Sequence, residues 1–174
     1  MIKYRPYQIE ILKRFRSLIN SGETDGLLVL GTGGGKTLIA ISAIKENFLD
    51  KGKRVLWIVH RNELLWQAIN TLNSISPDTK FSVHNATEKH MDGQIVFMSV
   101  QSYDGLEYEF DCIVIDETHH ECAYTYKNIL SNIKYQFKFG LTACPIRLDE
   151  QVLDYTNIIE NISIMKLISL GYAP

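Results

Sequence analysis

Leu27-Leu28-Val29-Leu30, followed by Gly31-Thr32-Gly33-Gly34-Gly35-Lys36-Thr37 and a helical pattern from Leu38 to Phe48, decides the fold. A buried strand, a glycine loop and a helix in this order form a phosphate-binding unit. Glycines let backbone N–H groups close around phosphate oxygens, and the helix N-terminus adds its positive dipole end. Lys36 can reach the β- and γ-phosphates, and the Thr37 hydroxyl can bind Mg²⁺. The stretch therefore predicts an Mg-nucleotide site made of Thr32, Gly33, Gly34, Gly35, Lys36 and Thr37.

A second motif, which is acidic, points to the same chemistry. Asp116-Glu117 directly follows the apolar run Cys112-Ile113-Val114-Ile115, which predicts a buried strand. Asp116 can hold Mg²⁺ directly or through water, and Glu117 can polarise the attacking water. An isolated Asp-Glu pair would be a strand-terminating turn, but the phosphate loop upstream favours a catalytic pair. We therefore predict that Lys36, Asp116 and Glu117 form the catalytic group, with Thr37 and Asp116 as metal ligands.

The pattern of apolar runs predicts an α/β fold. Helical stretches separate most of the strands, so the sheet should be mostly parallel with helices on both faces. The predicted strands are Gly26–Leu30, Val55–Val59, Ile95–Met98, Cys112–Ile115 and Phe137–Leu141, with a short one at Phe81–His84; the predicted helices are Pro6–Leu18, Lys36–Leu49, Asn62–Leu72 and Ile164–Leu170. Trp57 and Trp66 are both expected in the core. Asp149 to Asn161 is polar, and no strand is predicted there.

Composition argues against a general polyanion-binding protein, a disulfide-rich protein and a membrane-spanning protein. The chain of 174 residues has 18 basic and 20 acidic side chains and a net charge of −2, so contact with nucleic acid must come from a local patch. The cysteines Cys112, Cys122 and Cys144 show no paired spacing, which favours a reducing compartment and a cytoplasmic location. No apolar run approaches the roughly 20 residues of a membrane span. No membrane partner is therefore expected.

Taken together, the motifs resemble those of superfamily 2 helicases, the DEAD/DEAH-box group. The glycine loop, with Leu30 where the strict phosphate-loop pattern has glycine, pairs with Asp116-Glu117-Thr118-His119 as in that group. The resemblance extends over about residues 3 to 148 and is strongest to restriction-enzyme helicase subunits and DNA repair translocases. It implies a RecA-like phosphate-loop domain that uses ATP and Mg²⁺.

The same resemblance assigns roles to four further segments. Arg5-Pro6-Tyr7-Gln8 resembles the adenine-reading segment, in which Gln8 hydrogen-bonds the base, with Arg5 and Tyr7 beside it. The segments Val59–Leu64 and Ser99–Ser102 resemble motifs that hold nucleic-acid phosphates, through His60, Arg61, Ser99 and Gln101. Gly140–Pro145 resembles the segment that couples hydrolysis to movement, through Thr142 and Cys144, with His119 linking it to the acidic motif. Thr118 and Cys144 depart from the usual small residue and threonine, and a thiol is the poorer hydrogen-bond partner.

The resemblance also predicts how the chain is organised and what it does. Residues 1–148 would form the first RecA-like domain, and residues 149–174 would be a linker toward a second one, which supplies an arginine finger in cis or from a partner chain. The predicted function is the ATP-binding first motor domain of an ATP-dependent DNA helicase or translocase, an ATP hydrolase that turns over slowly without its second domain. Two alternatives stay open: a regulatory module that binds ATP and nucleic acid without turnover, and an RNA helicase domain.

Overall fold

A computed structural model describes residues 2–105, 107–118, 124–144 and 154–172. The elements in these ranges are, in chain order, α1 (Pro6–Asn20), β1 (Asp25–Leu30), α2 (Lys36–Asn47), β2 (Val55–Val59), α3 (Asn62–Ile75), β3 (Phe81–His84), β4 (Ile95–Ser99), β5 (Tyr108–Asp116), α4 (Tyr124–Asn132), β6 (Ile133–Thr142), β7 (Ile158–Ile162) and α5 (Ile164–Ser169). Short 3₁₀ turns occupy Leu49–Lys51 and Val100–Ser102. Among the helices of these ranges, none is both long and apolar enough to cross a membrane.

The strands of the described ranges form one seven-stranded sheet in the order β3-β4-β2-β5-β6-β1-β7. All neighbouring strands in this order run parallel. The prediction of a mostly parallel sheet is confirmed. Parallel strands need crossover connections, and α2, α3 and α4 lie on three of them.

Helices cover both faces of the sheet, as the sequence predicts. Alternate side chains of each strand point to opposite faces, so Trp57 of β2 packs into one apolar cluster and Leu56 and Ile58 into another. The first cluster includes buried residues of α1, α2, α3 and α5, and the second includes Tyr126 and Ile129 of α4. The central strands are buried along almost their whole length, which explains their continuous apolar sequences.

Two parts of the fold differ from the sequence predictions. Ile158–Ile162 falls almost entirely in the stretch Asp149 to Asn161, for which no strand was predicted, yet it forms β7 and pairs with β1 at the edge of the sheet. Trp66 was expected in the core and is 45% exposed, because α3 buries Leu65, Ala68, Ile69 and Leu72 instead. Trp57 is fully buried, as predicted.

The strand order brings the predicted motifs to one edge of the sheet. In parallel sheets all carboxyl ends lie on the same side, and ligands bind there. Gly31 follows β1, His60 follows β2, Ser99 ends β4, Asp116 ends β5 and Thr142 ends β6. The pairing of Val59 with Ser99, Asp116 with Leu141 and Val29 with Thr142 keeps these ends level.

Candidate nucleotide and nucleic-acid site

The glycine loop between β1 and α2 has the backbone geometry of a phosphate cradle. Gly33 and Gly35 have φ angles of 79° and 83°, in the left-handed region that favours glycine. The Gly34 N–H donates to the Gly31 carbonyl oxygen at 3.0 Å, which closes a tight turn before α2 begins at Lys36. A Cβ atom at Gly34 would lie 2.6 Å from the Leu30 side chain, so the loop has no room for a larger residue there.

Lys36 links this loop to the acidic motif on β5. Its Nζ donates to the Leu30 carbonyl oxygen at 3.1 Å and lies 3.9 Å from Glu117 Oε1. The side chains of Lys36 and Glu117 are 12% and 22% exposed, so this weak ion pair is partly shielded from solvent. Three of the predicted catalytic features, the loop, the lysine and the glutamate, therefore meet at one point.

The Asp116 carboxyl lies deeper than its neighbour and is 5% exposed. Burial and, to a smaller extent, the negative charge of Glu117 raise its pKa to about 6, against the opposing effect of the positive charge of Lys36. Glu117 has a φ angle of 57°, an uncommon conformation for a residue other than glycine. This turn directly after β5 lets two consecutive carboxylates differ in burial, with Asp116 held inside and Glu117 nearer the solvent.

The predicted adenine-reading segment packs against the glycine loop. Gln8 is 4% exposed; its Nε2 donates to the Gly34 carbonyl oxygen at 3.2 Å, and its Oε1 accepts from the Arg5 N–H at 2.9 Å. The Tyr7 hydroxyl donates to the same Gly34 oxygen at 2.7 Å. Because a carboxamide has two N–H groups and two acceptor lone pairs, Gln8 keeps bonding capacity beyond these two contacts. Base-reading residues and phosphate loop thus form one connected unit.

The four predicted nucleic-acid contacts also come together. Ser99 Oγ donates to Gln101 Oε1 at 2.6 Å, and Gln101 Nε2 donates to the His60 carbonyl oxygen at 3.1 Å. Arg61 is exposed at the N-terminal end of α3, next to His60. Since β2 and β4 are neighbours, two segments far apart in sequence form one polar ledge, defined here as His60, Arg61, Ser99 and Gln101.

The predicted coupling residues are only partly described. Thr142 is buried; its Oγ1 donates to the Cys144 carbonyl oxygen at 2.8 Å and accepts from the Cys144 N–H at 3.1 Å. The Cys144 side chain is exposed and its backbone, rather than its thiol, makes these bonds. Thr118 is fully buried beneath Gly140, where a Cβ atom would meet the Thr118 methyl group at 2.8 Å. His119 lies outside the described residues, as does Arg147.

Sequence reasoning missed one residue at the base-reading segment. Tyr172 contacts both Arg5 and Tyr7, although 167 positions separate it from Arg5. Its only signal in the sequence is its place after Gly171, a glycine that ends a short helix. Local patterns carry no information about such a distant contact.

Comparison with solved structures gives the class of fold. The domain superposes on a nuclease-deletion mutant of the Type ISP restriction-modification enzyme LlaGI, solved in complex with a DNA substrate mimic, with a TM-score of 0.75. That match covers 98% of this chain and 21% of the LlaGI chain, at 19% sequence identity. The domain therefore has a RecA-like α/β fold, which confirms the predicted fold class.

The sequence itself gives the family. Residues 1–147 match the model of the family described as Type III restriction enzyme, res subunit, and the chain belongs to that family. IRC3 of Saccharomyces cerevisiae is 33% identical over 145 residues, covering 75% of this chain and 21% of IRC3. The TFIIH basal transcription factor complex helicase/translocase XPB subunit of Trypanosoma brucei brucei is 26% identical over 182 aligned positions, covering 91% of this chain and 19% of that protein. The chain spans about a fifth of the length of these two relatives, and the predicted helicase resemblance is confirmed.

Proposed function

We propose that this domain is the ATP-binding first motor unit of an ATP-dependent DNA helicase or translocase. The observation that carries the proposal is the meeting of Lys36, Asp116 and Glu117 at the glycine loop, with the polar ledge on the neighbouring strands of the same sheet edge. Coupling of hydrolysis to movement requires that the nucleotide and the nucleic acid bind to the same part of the structure. One edge of the sheet would carry both sites. The family membership supports the use of ATP.

A divalent cation fits the residues present. The buried Asp116 carboxyl has its pKa raised to about 6 by burial and by Glu117, so its ionised form lacks sufficient compensation from Lys36. Carboxylate and hydroxyl oxygens are ligands that Mg²⁺ prefers, and Asp116 and Thr37 would hold it. When bound, Mg²⁺ would offset the negative charge that develops on the phosphate oxygens.

The chain's own residues divide the remaining work. Backbone N–H groups of residues 33–37 would bind the phosphate oxygens, and the Lys36 ammonium would bind the outer phosphates. Glu117 would orient the attacking water and accept its proton, because its carboxylate is more exposed than that of Asp116. Gln8 would read the adenine edge, with Arg5 beside the base.

The polar ledge supports nucleic-acid binding but does not distinguish DNA from RNA. Arg61 can bind a phosphate, and backbone or hydroxyl groups near His60 and Ser99 can add contacts that carry no information about base or sugar. DNA is favoured because the LlaGI structure contains a DNA substrate mimic and XPB is named as a subunit of a transcription factor complex. An RNA substrate is the alternative.

A second RecA-like domain, in cis or from a partner chain, completes the proposal. In related phosphoryl-transfer enzymes an arginine finger contributes roughly 10³–10⁵ to the rate. In this division of labour residues 1–148 carry the motifs of the first motor domain, and β7 and α5 of residues 149–174 pack into its sheet and core.

The experiment that tests the proposed site is calorimetric titration with ATP in the presence of Mg²⁺. Lys36→Ala should weaken ATP binding strongly while leaving the fold intact, because the Lys36 side chain faces the loop and not the core. Lys45→Ala is the matched control, since Lys45 lies on the same helix but pairs with Asp50. Equal ATP affinity in the wild type and Lys36→Ala would refute the assignment.

A further inference from the structure

Residues 162–172 contact the glycine loop at its first residue. The Gly31 N–H donates to the Ile162 carbonyl oxygen at 2.9 Å. A Cβ atom at Gly31 would lie 2.7 Å from the Ile164 Cα atom, so the loop and the start of α5 are in direct backbone contact. The segment is anchored by Leu167, which is fully buried in the core. Its position is therefore tied to that of the loop.

The end of the same segment turns back toward the base-reading residues. Gly171 has a φ angle of 71° and its N–H donates to the Ile168 carbonyl oxygen at 2.9 Å. The Tyr172 N–H then donates to the Leu167 carbonyl oxygen at 2.9 Å. These bonds form a left-handed turn at the C-terminal end of α5, which fixes where the Tyr172 ring lies.

The Tyr172 ring meets two residues of the base-reading segment. The guanidinium carbon of Arg5 lies 5.1 Å from the centre of the ring, and Arg5 Nη1 donates to the Tyr172 carbonyl oxygen at 2.8 Å. The Tyr7 ring centre lies 5.2 Å away with the two planes inclined by 50°. Tyr7 in turn bonds the Gly34 carbonyl oxygen. Tyr172 thus supports Arg5 from one side and reaches the glycine loop through Tyr7.

We propose that Tyr172 is a positioning residue of the nucleotide base site, and that it holds the Arg5 guanidinium plane for stacking on a purine base. A guanidinium is planar and stacks on aromatic rings, and the guanidinium carbon of Arg5 already lies over the Tyr172 ring. The side of the guanidinium that points away from Tyr172 is the one that can stack on the base. The inference rests on the proposed nucleotide site and extends it to a residue of the segment after β7.

The test compares ATP with inorganic tripolyphosphate, which carries the phosphates without the base. Tyr172→Ala should raise the Kd for ATP about fivefold and leave the Kd for tripolyphosphate within about twofold, because tripolyphosphate lacks the base on which Arg5 would stack. Tyr172→Phe should bind ATP like the wild type. Tyr172→Leu retains apolar bulk against the core and should behave like Tyr172→Ala, which protects the test against misfolding. Tyr124→Ala is the control, since Tyr124 is 85% exposed on α4.

A double variant checks that Tyr172 acts through Arg5. If it does, Tyr172→Ala should weaken ATP binding further by less than twofold in an Arg5→Ala background, since coupled residues are not additive. Equal losses for ATP and tripolyphosphate, or full additivity with Arg5→Ala, would overturn the inference and leave the nucleotide site standing. A wild-type chain that binds neither ligand would instead overturn the proposed function, and the inference with it.

Discussion

The Lys36 ammonium lies 3.9 Å from Glu117 Oε1 while donating a hydrogen bond to the Leu30 carbonyl oxygen. This relationship joins the end of β1, the start of α2 and the turn after β5 in one polar centre. At 3.9 Å the pair is at the long end of ion-pair distances, so Glu117 is not locked by Lys36. A carboxylate close to the phosphate-binding lysine, but loosely paired with it, is placed to accept a proton from water.

Glu117→Gln should therefore separate nucleotide binding from hydrolysis. Removal of the carboxylate removes the group that accepts the proton, and general bases typically contribute about 10²–10⁴ in rate. ATP affinity should stay within about threefold, because Lys36 and the loop amides are retained. Single-turnover hydrolysis and equilibrium binding measure the two effects. Glu109→Gln, on an exposed position of the same strand, is the control; unchanged hydrolysis in Glu117→Gln would assign the base elsewhere.

The stability of the nucleotide-free chain should fall as the pH rises through about 6. Asp116 has a pKa of 3.8 when unperturbed and about 6 in the fold, so between these values the folded state binds more protons than the unfolded state. The contribution of Asp116 to the stability of the folded state is therefore fully present below about pH 4 and is lost above about pH 6. Asp116→Asn should remove the slope and stabilise the chain at pH 8 by up to about 3 kcal/mol.

Urea unfolding at pH 4.5, 6 and 8 measures this dependence on pH. Asp78→Asn, in an exposed loop, should keep the wild-type slope. A slope that Asp116→Asn leaves unchanged would mean that another group titrates. Added Mg²⁺ and ATP should oppose the loss of stability at pH 8, because a cation favours the ionised carboxylate.

Gln8 should make the site prefer adenine to guanine nucleotides. Its carboxamide can donate to and accept from the N7 and N6 edge of adenine, whereas the carbonyl of guanine at that edge faces the wrong group. Competition binding should favour ATP over GTP by about tenfold, and Gln8→Ala should reduce that ratio toward one. Gln67→Ala, on the exposed face of α3, serves as the control. Indistinguishable affinities of the wild type for ATP and GTP would remove Gln8 from the site.

Continuous apolar runs predicted the central strands of the sheet, and the short edge strand Phe81–His84 was also predicted. Val55–Val59 and Ile95–Ser99 are buried at every position, and a continuous apolar run reports this directly. The edge strand Ile158–Ile162 buries only Ile159 fully and includes Glu160 and Asn161, so its sequence lacks both an apolar run and strict alternation. Its pairing with β1 depends on a long-range contact that no local pattern encodes.

Site residues show the same limit. Glycine, lysine and carboxylate motifs next to apolar strands predicted the group around Lys36 and Glu117, because the parallel sheet brings strand ends together. Tyr172 was missed because it comes into contact with Arg5 only when the seven-stranded sheet has formed. Trp66 was assigned to the core because it is aromatic, but its position on α3 faces solvent and helical phase outweighs residue type.

The polar ledge should bind DNA weakly and with few phosphate contacts. The net charge of −2 gives no general attraction for a polyanion, so binding should depend on local residues such as Arg61. Arg61→Ala should weaken binding several-fold and reduce the slope of log K against log salt by about one. Arg16→Ala is the control, because Arg16 pairs with Glu46 on α2. Tight, salt-insensitive binding, or no effect of Arg61→Ala, would show that the ledge is not the track.

The isolated chain should bind ATP but hydrolyse it slowly, with little stimulation by DNA and no strand separation. Glu117 would activate the water and Lys36 would bind the phosphates. Neutralisation of the charge on the transferring phosphoryl group also needs an arginine. Two of the arginines whose surroundings are described already have other partners: Arg14 pairs with Glu160, and Arg5 lies against Tyr172 at the base end of the site.

A protein that also carries the second RecA-like domain should recover hydrolysis by about 10³-fold or more and respond to DNA. Steady-state phosphate release with and without DNA compares the two forms, and Glu117→Gln in the longer form gives the background. Robust DNA-stimulated hydrolysis by residues 1–174 alone would contradict the two-domain mechanism. Arg147 would then be the first residue to mutate, because it lies just after the coupling segment Gly140–Pro145 in the sequence.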